Sequence, residues 1–347
     1  MKTFFKLAIT VVLAHGALVM AHPGPRIWVG SDNGAVATFI GDNDTNPTIY
    51  TPRRVFIGGA DSTTLLPNGQ LDEYPSLGTG VYATQFPAYQ VRRDGNAGFA
   101  TGVSIGFNLP GPLLVFDPID HAFRTTQSRY GDPGPAPQMA ESTGANVAVT
   151  GAGPVNGFTL FTYNTSGDHG HAVTALYGDG ANPVDGPHAV YAVPMKLTVP
   201  GLSDSPTYYV MYGRAVPLAD QAFQEAFVLG TFIFNAHAGD ANLDGTVDTI
   251  DFNLLAANFG GSHKGWGQGE FDFNGLVDTV DFNILAANFG ASGLPPTNVP
   301  EPQAVGMLLM SIAPLVAKRR TSGFDRHARR CAHAGATHVS PSAVFDG

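Results

Sequence analysis

Between Ile27 and Phe234 the chain alternates short apolar or alternating runs with turn residues. The runs are Ile27–Val29, Val36–Ile40, Arg53–Ile57, Tyr89–Val91, Val103–Phe107, Leu113–Phe116, Phe158–Tyr163, Tyr191–Val199, Tyr208–Tyr212 and Phe227–Phe234. Runs of this length between Gly, Pro, Asn and Asp clusters predict strands. Their number predicts a mainly β domain over residues 22–235, an antiparallel β-sandwich or jelly-roll-like fold. One helical interruption is expected over Leu218–Ala226. Further on the period changes. Phe252, Leu255, Ala256 and Phe259 recur at i, i+3, i+4 and i+7, and Gly260 follows as a C′ residue. Phe282, Leu285, Ala286, Phe289 and Gly290 repeat the pattern. Each stretch predicts a short amphipathic helix, and the two helices are expected to pack together.

These helices belong to a duplication. Residues 246–260 and 276–290 match except at Thr246/Leu276, Ile250/Val280 and Leu254/Ile284, at a spacing of 30 residues. Identity this close marks an internal repeat. Each copy places oxygen ligands as a calcium loop needs them. In the first, Asp240, Asn242 and Asp244 hold positions 1, 3 and 5, and Gly245 at position 6 permits a sharp turn. Thr246 at position 7 offers its carbonyl, and Asp248 and Asp251 fall at positions 9 and 12. In the second, Glu270, Asp272, Asn274, Gly275, Leu276, Asp278 and Asp281 take the same places. Four carboxylates within twelve residues repel one another, and a hard divalent ion relieves the repulsion. Solvated acidic turns would not need the glycine and the alternate spacing twice in register.

The loops depart from a full EF-hand. Position 12 is Asp, and the entering segments, 234–238 and 265–269, contain no helix-forming pattern. Loop plus exiting helix, twice over, resembles the type I dockerin module, across about 50 residues. The resemblance implies two bound calcium ions, EF-hand-like, and docking to a cohesin-like protein module. It implies recognition through loop positions 10 and 11, here Thr249, Ile250, Thr279 and Val280. Glu270 at position 1 makes the second site the weaker expectation.

Composition, with 43 Gly, 26 Pro and 13% charged residues, favours many short strands and turns over helices. The net charge of −10 argues against a nucleic-acid partner. Cys331 is the single cysteine, so no intramolecular disulfide framework exists. Residues 1–21 read as a secretory signal peptide: Lys2 and Lys6, an apolar run from Leu7 to Met20, and small residues Val19 and Ala21 before cleavage. A retained membrane anchor is the alternative. Residues 291–299 read as a linker. Pro300, Glu301 and Pro302 are followed by an apolar run from Ala304 to Ala317 and by Lys318, Arg319 and Arg320. This order over residues 300–320 resembles the PEP-CTERM sorting signal. The resemblance implies export across the inner membrane and processing at Pro300–Glu301–Pro302 by an exosortase-type enzyme. It implies a final place at the cell surface or in the medium. The run is short and contains Pro314, so the membrane enters only through the signal segments. Residues 321–347 are polar, lack periodicity and read as a disordered tail.

Other chemistry within 22–235 is sparse. His169 and His171 alternate and would share one strand face, with His188 nearby in sequence. Hydrogen-bonding histidines at a strand end give the same pattern. A mature N-terminal His22 offers an amine and an imidazole, the copper chelate of lytic polysaccharide monooxygenases, but Pro23 follows and the domain does not resemble those enzymes. The motif around Ser104 reads G-x-S-x-G but continues as a strand, not a helix. Glu73, Glu141, Glu225 and the scattered aspartates show no spacing that announces an acid pair. Two functions follow. One is a secreted, surface-sorted, non-catalytic protein whose β domain binds a polymer such as a polysaccharide while its calcium-loaded repeat docks to a partner. The other is an extracellular polysaccharide-active enzyme, since dockerin modules often accompany such domains. The first is preferred, because no catalytic residue set is evident.

Overall fold

The computed structural model describes residues 26–42, 47–58, 66–67, 82–84, 87–130, 137–142, 146–164, 168–179 and 187–293. The expected signal peptide, His22, the sorting segment and the tail lie outside the described residues. No helix among the described residues is long and apolar enough to cross a membrane.

The protein is mainly β. The strands are β1 (Arg26–Asp32), β2 (Ala35–Gly41), β3 (Tyr50–Pro52), β4 (Val55–Ile57), β5 (Leu66–Pro67), β6 (Tyr82–Thr84), β7 (Ala88–Val91), β8 (Val103–Leu109) and β9 (Leu114–Asp117). They continue as β10 (Ala122–Thr125), β11 (Pro137–Ser142), β12 (Val147–Val149), β13 (Val155–Tyr163), β14 (His169–Gly170), β15 (Val173–Asp179), β16 (Ala189–Thr198) and β17 (Tyr208–Arg214). The helices are α1 (Thr126–Tyr130), α2 (Gln221–Ile233), α3 (Thr249–Asn258) and α4 (Thr279–Asn288).

Three sheets form. One runs β14-β7-β1-β2-β3 and another β12-β11-β15-β6-β5. The largest runs β10-β9-β16-β17-β4, with β8 on β16 and β13 on β8. Pairing is antiparallel except for β1–β7 and β17–β4, which are parallel. The sheets are therefore mixed as well as antiparallel, where alternation alone predicted antiparallel pairing throughout.

β16 explains the layering. Its sequence AVYAVPMKLT is apolar almost throughout, which marks a strand covered on both faces. Tyr191, Val193, Met195 and Leu197 point into the core shared with the other two sheets. Val190 and Ala192 point the opposite way, beside Leu114, Phe116 and Met211. That second face needs its own cover, and α2 and the repeat supply it. Phe223, Ala226, Phe227 and Ile233 of α2 pack there, as do Val247, Leu255, Trp266, Phe271, Val277 and Leu285 of the repeat.

The segment Phe227–Phe234, expected as a strand, is helical through Ile233. A short continuous apolar run does not distinguish the two states. Here Asp220 decides it: its side chain caps the helix by accepting from the Ala222 amide at 2.8 Å. Phe223, Ala226, Phe227 and Gly230 then fall on one buried face. No spacer separates the β domain from the repeat, and both belong to one compact unit. Ala236 N–H closes onto Phe232 O, and Asp240 follows within a turn.

Candidate metal centre

Both loops fold as twelve-residue turns that open into a helix. Asp248 and Asp278 are the N-caps, accepting from the amides of Ile250 and Val280 at 2.7 Å each. Asp251 and Asp281, three residues on, reach back to the amides of Asp248 and Asp278 at 2.9 Å, which completes a capping box in each copy. At the other end α3 and α4 stop at Gly260 and Gly290, both at positive φ, as expected for C′ residues.

The position-12 carboxylates are fully buried and latch each loop shut. Asp251 Oδ1 accepts from Ala241 N at 2.8 Å and Asn242 N at 3.1 Å. Asp281 Oδ1 accepts from Phe271 N at 2.6 Å. Position 1 braces the turn from the opposite side. Asp240 Oδ2 accepts from Gly245 N at 2.9 Å, and Glu270 Oε1 from Gly275 N at 3.3 Å. Gly245 and Gly275 sit at φ +87°, a conformation that favours glycine. Nearer the rim, Asp244 takes Thr246 N and Asn274 takes Leu276 N, at 2.9 and 2.6 Å. Asn242 and Asp244 bond to each other, as do Asp272 and Asn274.

The two copies are locked head to tail. Gly260 N donates to Val277 O and Gly290 N to Val247 O, both at 2.8 Å. Residues 246 and 292, and 262 and 276, pair as antiparallel bridges. Ala291–Gly293, expected in the linker, thus belong to the repeat, because the segment after α4 duplicates the one after α3. Gly239 and Gly269 precede the loops at positive φ, and a Cβ there would strike the backbone of Leu285 or Leu255 at 2.9 or 2.5 Å. Each entering glycine lets its loop sit against the other copy's helix. Leu255 and Leu285 are buried, but the phenylalanine stripe is not. Phe252 and Phe282 meet edge to face at 6.3 Å and remain about 40% exposed, and Phe259 and Phe289 are more exposed still. The expected apolar face is therefore only partly used within the molecule. Thr249, Ile250, Thr279 and Val280, the residues expected to meet a partner, open the helices and are exposed.

The donor set fits a hard cation. Ligand atoms of Glu270, Asp272 and Asp281 lie within 4.8 Å of one another, the one such group of three or more His, Cys, Asp or Glu among the described residues. Glu270 Oε2 is buried without a hydrogen bond. Burial pushes the Glu270 carboxyl up to about 8 and Asp240 up to about 6, in Asp240 with added repulsion from Asp251 and Asp244. Burial also raises Asp281. Carboxyls held up by burial and like charge are groups that a divalent ion would return to the ionised state. The second loop thus gathers three carboxylates as oxygen donors, whereas Asp240, Asp244, Asp248 and Asp251 of the first loop do not form such a group among the described residues.

One neighbour was invisible in the sequence. Arg124 of β10 is buried, and its Nη1 lies 3.6 Å from Glu270 Oε2. Thr125 N donates to Phe273 O at 2.8 Å and Ser128 Oγ to Asn274 O at 2.6 Å, so β10 and α1 hold the back of the second loop. No spacing rule links residues so far apart along the chain.

The remaining candidates do not assemble. His169 and His171 contact each other edge to face at 5.2 Å, without a third ligand among the described residues. Ser104 lies in β8, paired with Thr162 of β13, so no strand-to-helix elbow forms. Glu141 is buried, where it accepts from Thr174 Oγ1 at 2.8 Å. Glu225 pairs with His121 at 2.5 Å.

No protein-family model, curated protein or solved structure matches this chain.

Proposed function

We propose that this is a secreted or surface-sorted bacterial protein with a non-catalytic β domain and a calcium-loaded, dockerin-like repeat for docking to a cohesin-like module. The observation that carries the reading is the duplicated latch. In each copy a buried position-12 aspartate and a buried position-1 carboxylate close on the same turn from opposite sides. Burying four carboxylates in so small a module costs free energy that the backbone N–H groups offset only in part, and Glu270 Oε2 has no hydrogen bond at all. Two calcium ions would offset the rest. Asp240, Asn242, Asp244, the Thr246 carbonyl, Asp248 and Asp251 would hold one. Glu270, Asp272, Asn274, the Leu276 carbonyl, Asp278 and Asp281 would hold the other.

Docking is supported by the exposed residues. Ile250 and Phe252 on α3 and Val280 and Phe282 on α4 are exposed apolar residues at matching positions of the two copies. Apolar side chains left exposed on a duplicated, calcium-ordered scaffold suit recognition of another protein. Pro300–Glu301–Pro302 and the segments around them support sorting by an exosortase-type enzyme. The test is calorimetry of the full chain with calcium, followed by capture from the outer fraction of the native organism with and without chelator. Calcium uptake and a chelator-sensitive partner are expected. Absence of uptake at millimolar calcium would overturn the reading.

A further inference from the structure

We propose that Arg124 of the β domain is a built-in counter-cation of the second loop, so that calcium enters this loop against a resident guanidinium and fills it after the first. The inference rests on the calcium reading above and concerns its regulation.

The two loops carry the same formal charge, four carboxylates each, but not the same surroundings. Among the described residues, no carboxylate of the first loop makes an ion pair. In the second, Arg124 Nη1 lies 3.6 Å from Glu270 Oε2, and both side chains are withdrawn from solvent, at 5% and 1% exposure. The guanidinium also lies against the loop backbone. A Cβ on Gly275, at position 6, would meet Arg124 Nε at 3.0 Å. Its remaining contacts are Phe123 O at 3.0 Å from Nη1 and Asp120 Oδ2 at 3.4 Å from Nη2. Asp120 in turn faces His263 at 3.1 Å, in the segment between the two copies.

Glutamate at position 1 fits this arrangement. Its extra methylene relative to Asp240 lets Oε1 brace the Gly275 amide while Oε2 faces Arg124. The brace is correspondingly longer, 3.3 Å against 2.9 Å in the first loop. Oε2 has no hydrogen bond and faces Arg124 only at a distance, so it remains open to a closer cation. A divalent ion reaching Oε2 must share it with a fixed positive charge, and repulsion in a buried setting is weakly screened. Calcium at the second loop is thereby tied to the seating of the repeat on β10.

Each loop has its own reporter. The Gly245 amide bonds to the position-1 carboxylate of the first loop and the Gly275 amide to that of the second. Their NMR resonances in the full chain, followed through a calcium titration, read the two sites separately. Gly245 is expected to titrate at lower calcium than Gly275. In Arg124→Gln the Gly275 midpoint should fall about tenfold, as expected for removal of one nearby buried charge, while Gly245 is unmoved. Glu270→Asp, which draws the carboxylate back from the guanidinium and leaves Arg124 in place, should also lower the Gly275 midpoint. A Gly275 midpoint at or below that of Gly245 in the wild type would overturn the proposal. So would a Gly275 midpoint that neither variant lowers. If neither amide responds to calcium, the calcium reading fails first and the proposal falls with it.

Discussion

The indole Nε1–H of Trp266 donates to the backbone carbonyl of Asp240 at 2.6 Å. The spacer between the two copies is thus anchored at the first ligand position of the first loop. Trp266 also stacks on Phe273 at 5.8 Å and meets Phe271 edge to face at 5.1 Å, on either side of Asp272. One ring therefore touches both loops.

Calcium should accordingly change tryptophan emission. The other tryptophan, Trp28, is buried in β1 and does not belong to this cluster. The expected result is a saturable calcium-dependent change in fluorescence that Trp266→Phe abolishes. That variant also loses one buried hydrogen bond, for a cost of about 1 kcal/mol in denaturant unfolding. An unchanged calcium signal in the variant would separate Trp266 from the loops.

Glu141 gives the β domain a distinct pH dependence. Burial raises its carboxyl to about 8, although hydrogen bonding to Thr174 opposes the shift. The folded protein thus holds a proton that the unfolded chain releases near 4.5. Stability from this group is fully present below the unfolded value and is lost as pH rises towards 8, by about 1.4 kcal/mol per pH unit. Glu141→Gln keeps an acceptor for Thr174 and has no proton to lose. In saturating calcium, it should flatten the fall in melting temperature between pH 5 and 8 and be the more stable form at pH 8. Parallel profiles for the two proteins would remove Glu141 as the cause.

The repeat was legible because its signal is local. The alternating acidic and amide side chains, Gly245 and Gly275, the caps and the terminal glycines all lie within one turn or one short helix of each other. Strands such as β8, β16 and β17 were legible for the same reason. What escaped was set by distance or by competing signals. β10, β11 and β15 are interrupted by polar residues, Arg124, Glu141 and Thr174, whose partners come from remote parts of the chain. The apolar run at Phe227–Phe234 suited a strand until Asp220 capped it as a helix. The apolar stripe of α3 gave the right period, but of its four residues only Leu255 is buried, and Asp251 points inward beside it. Burial of Asp251 is a property of the loop, not of the helix.

The shared core should make unfolding of the two parts a single event. Phe123 of β10 meets Phe234 at 4.9 Å, and Phe234 meets Phe273 of the second loop at 6.1 Å. Phe123→Ala should cost roughly 3–5 kcal/mol, as large buried truncations do. Calorimetric scanning should show calcium raising one common transition of the wild type. In the variant, that transition should split or fall. Two independent transitions in the wild type, of which only one responds to calcium, would show that the repeat is energetically separate.

Position 12 and position 5 should fail in different ways. Asp251 is fully buried and accepts backbone N–H groups from Ala241, Asn242 and Asp248. Asp251→Ala strands those donors, at about 1–3 kcal/mol for each one left unsatisfied. The first loop should then open even in saturating calcium, with loss of α3 helicity. Asp244 is exposed and holds only Asn242 Nδ2 and Thr246 N. Asp244→Ala should keep the fold and lose affinity at the first site, leaving one calcium event in calorimetry and a near-native circular dichroism spectrum. The order of damage is the informative outcome. If Asp244→Ala unfolded the module while Asp251→Ala merely weakened calcium, the latch assigned to Asp251 would be wrong.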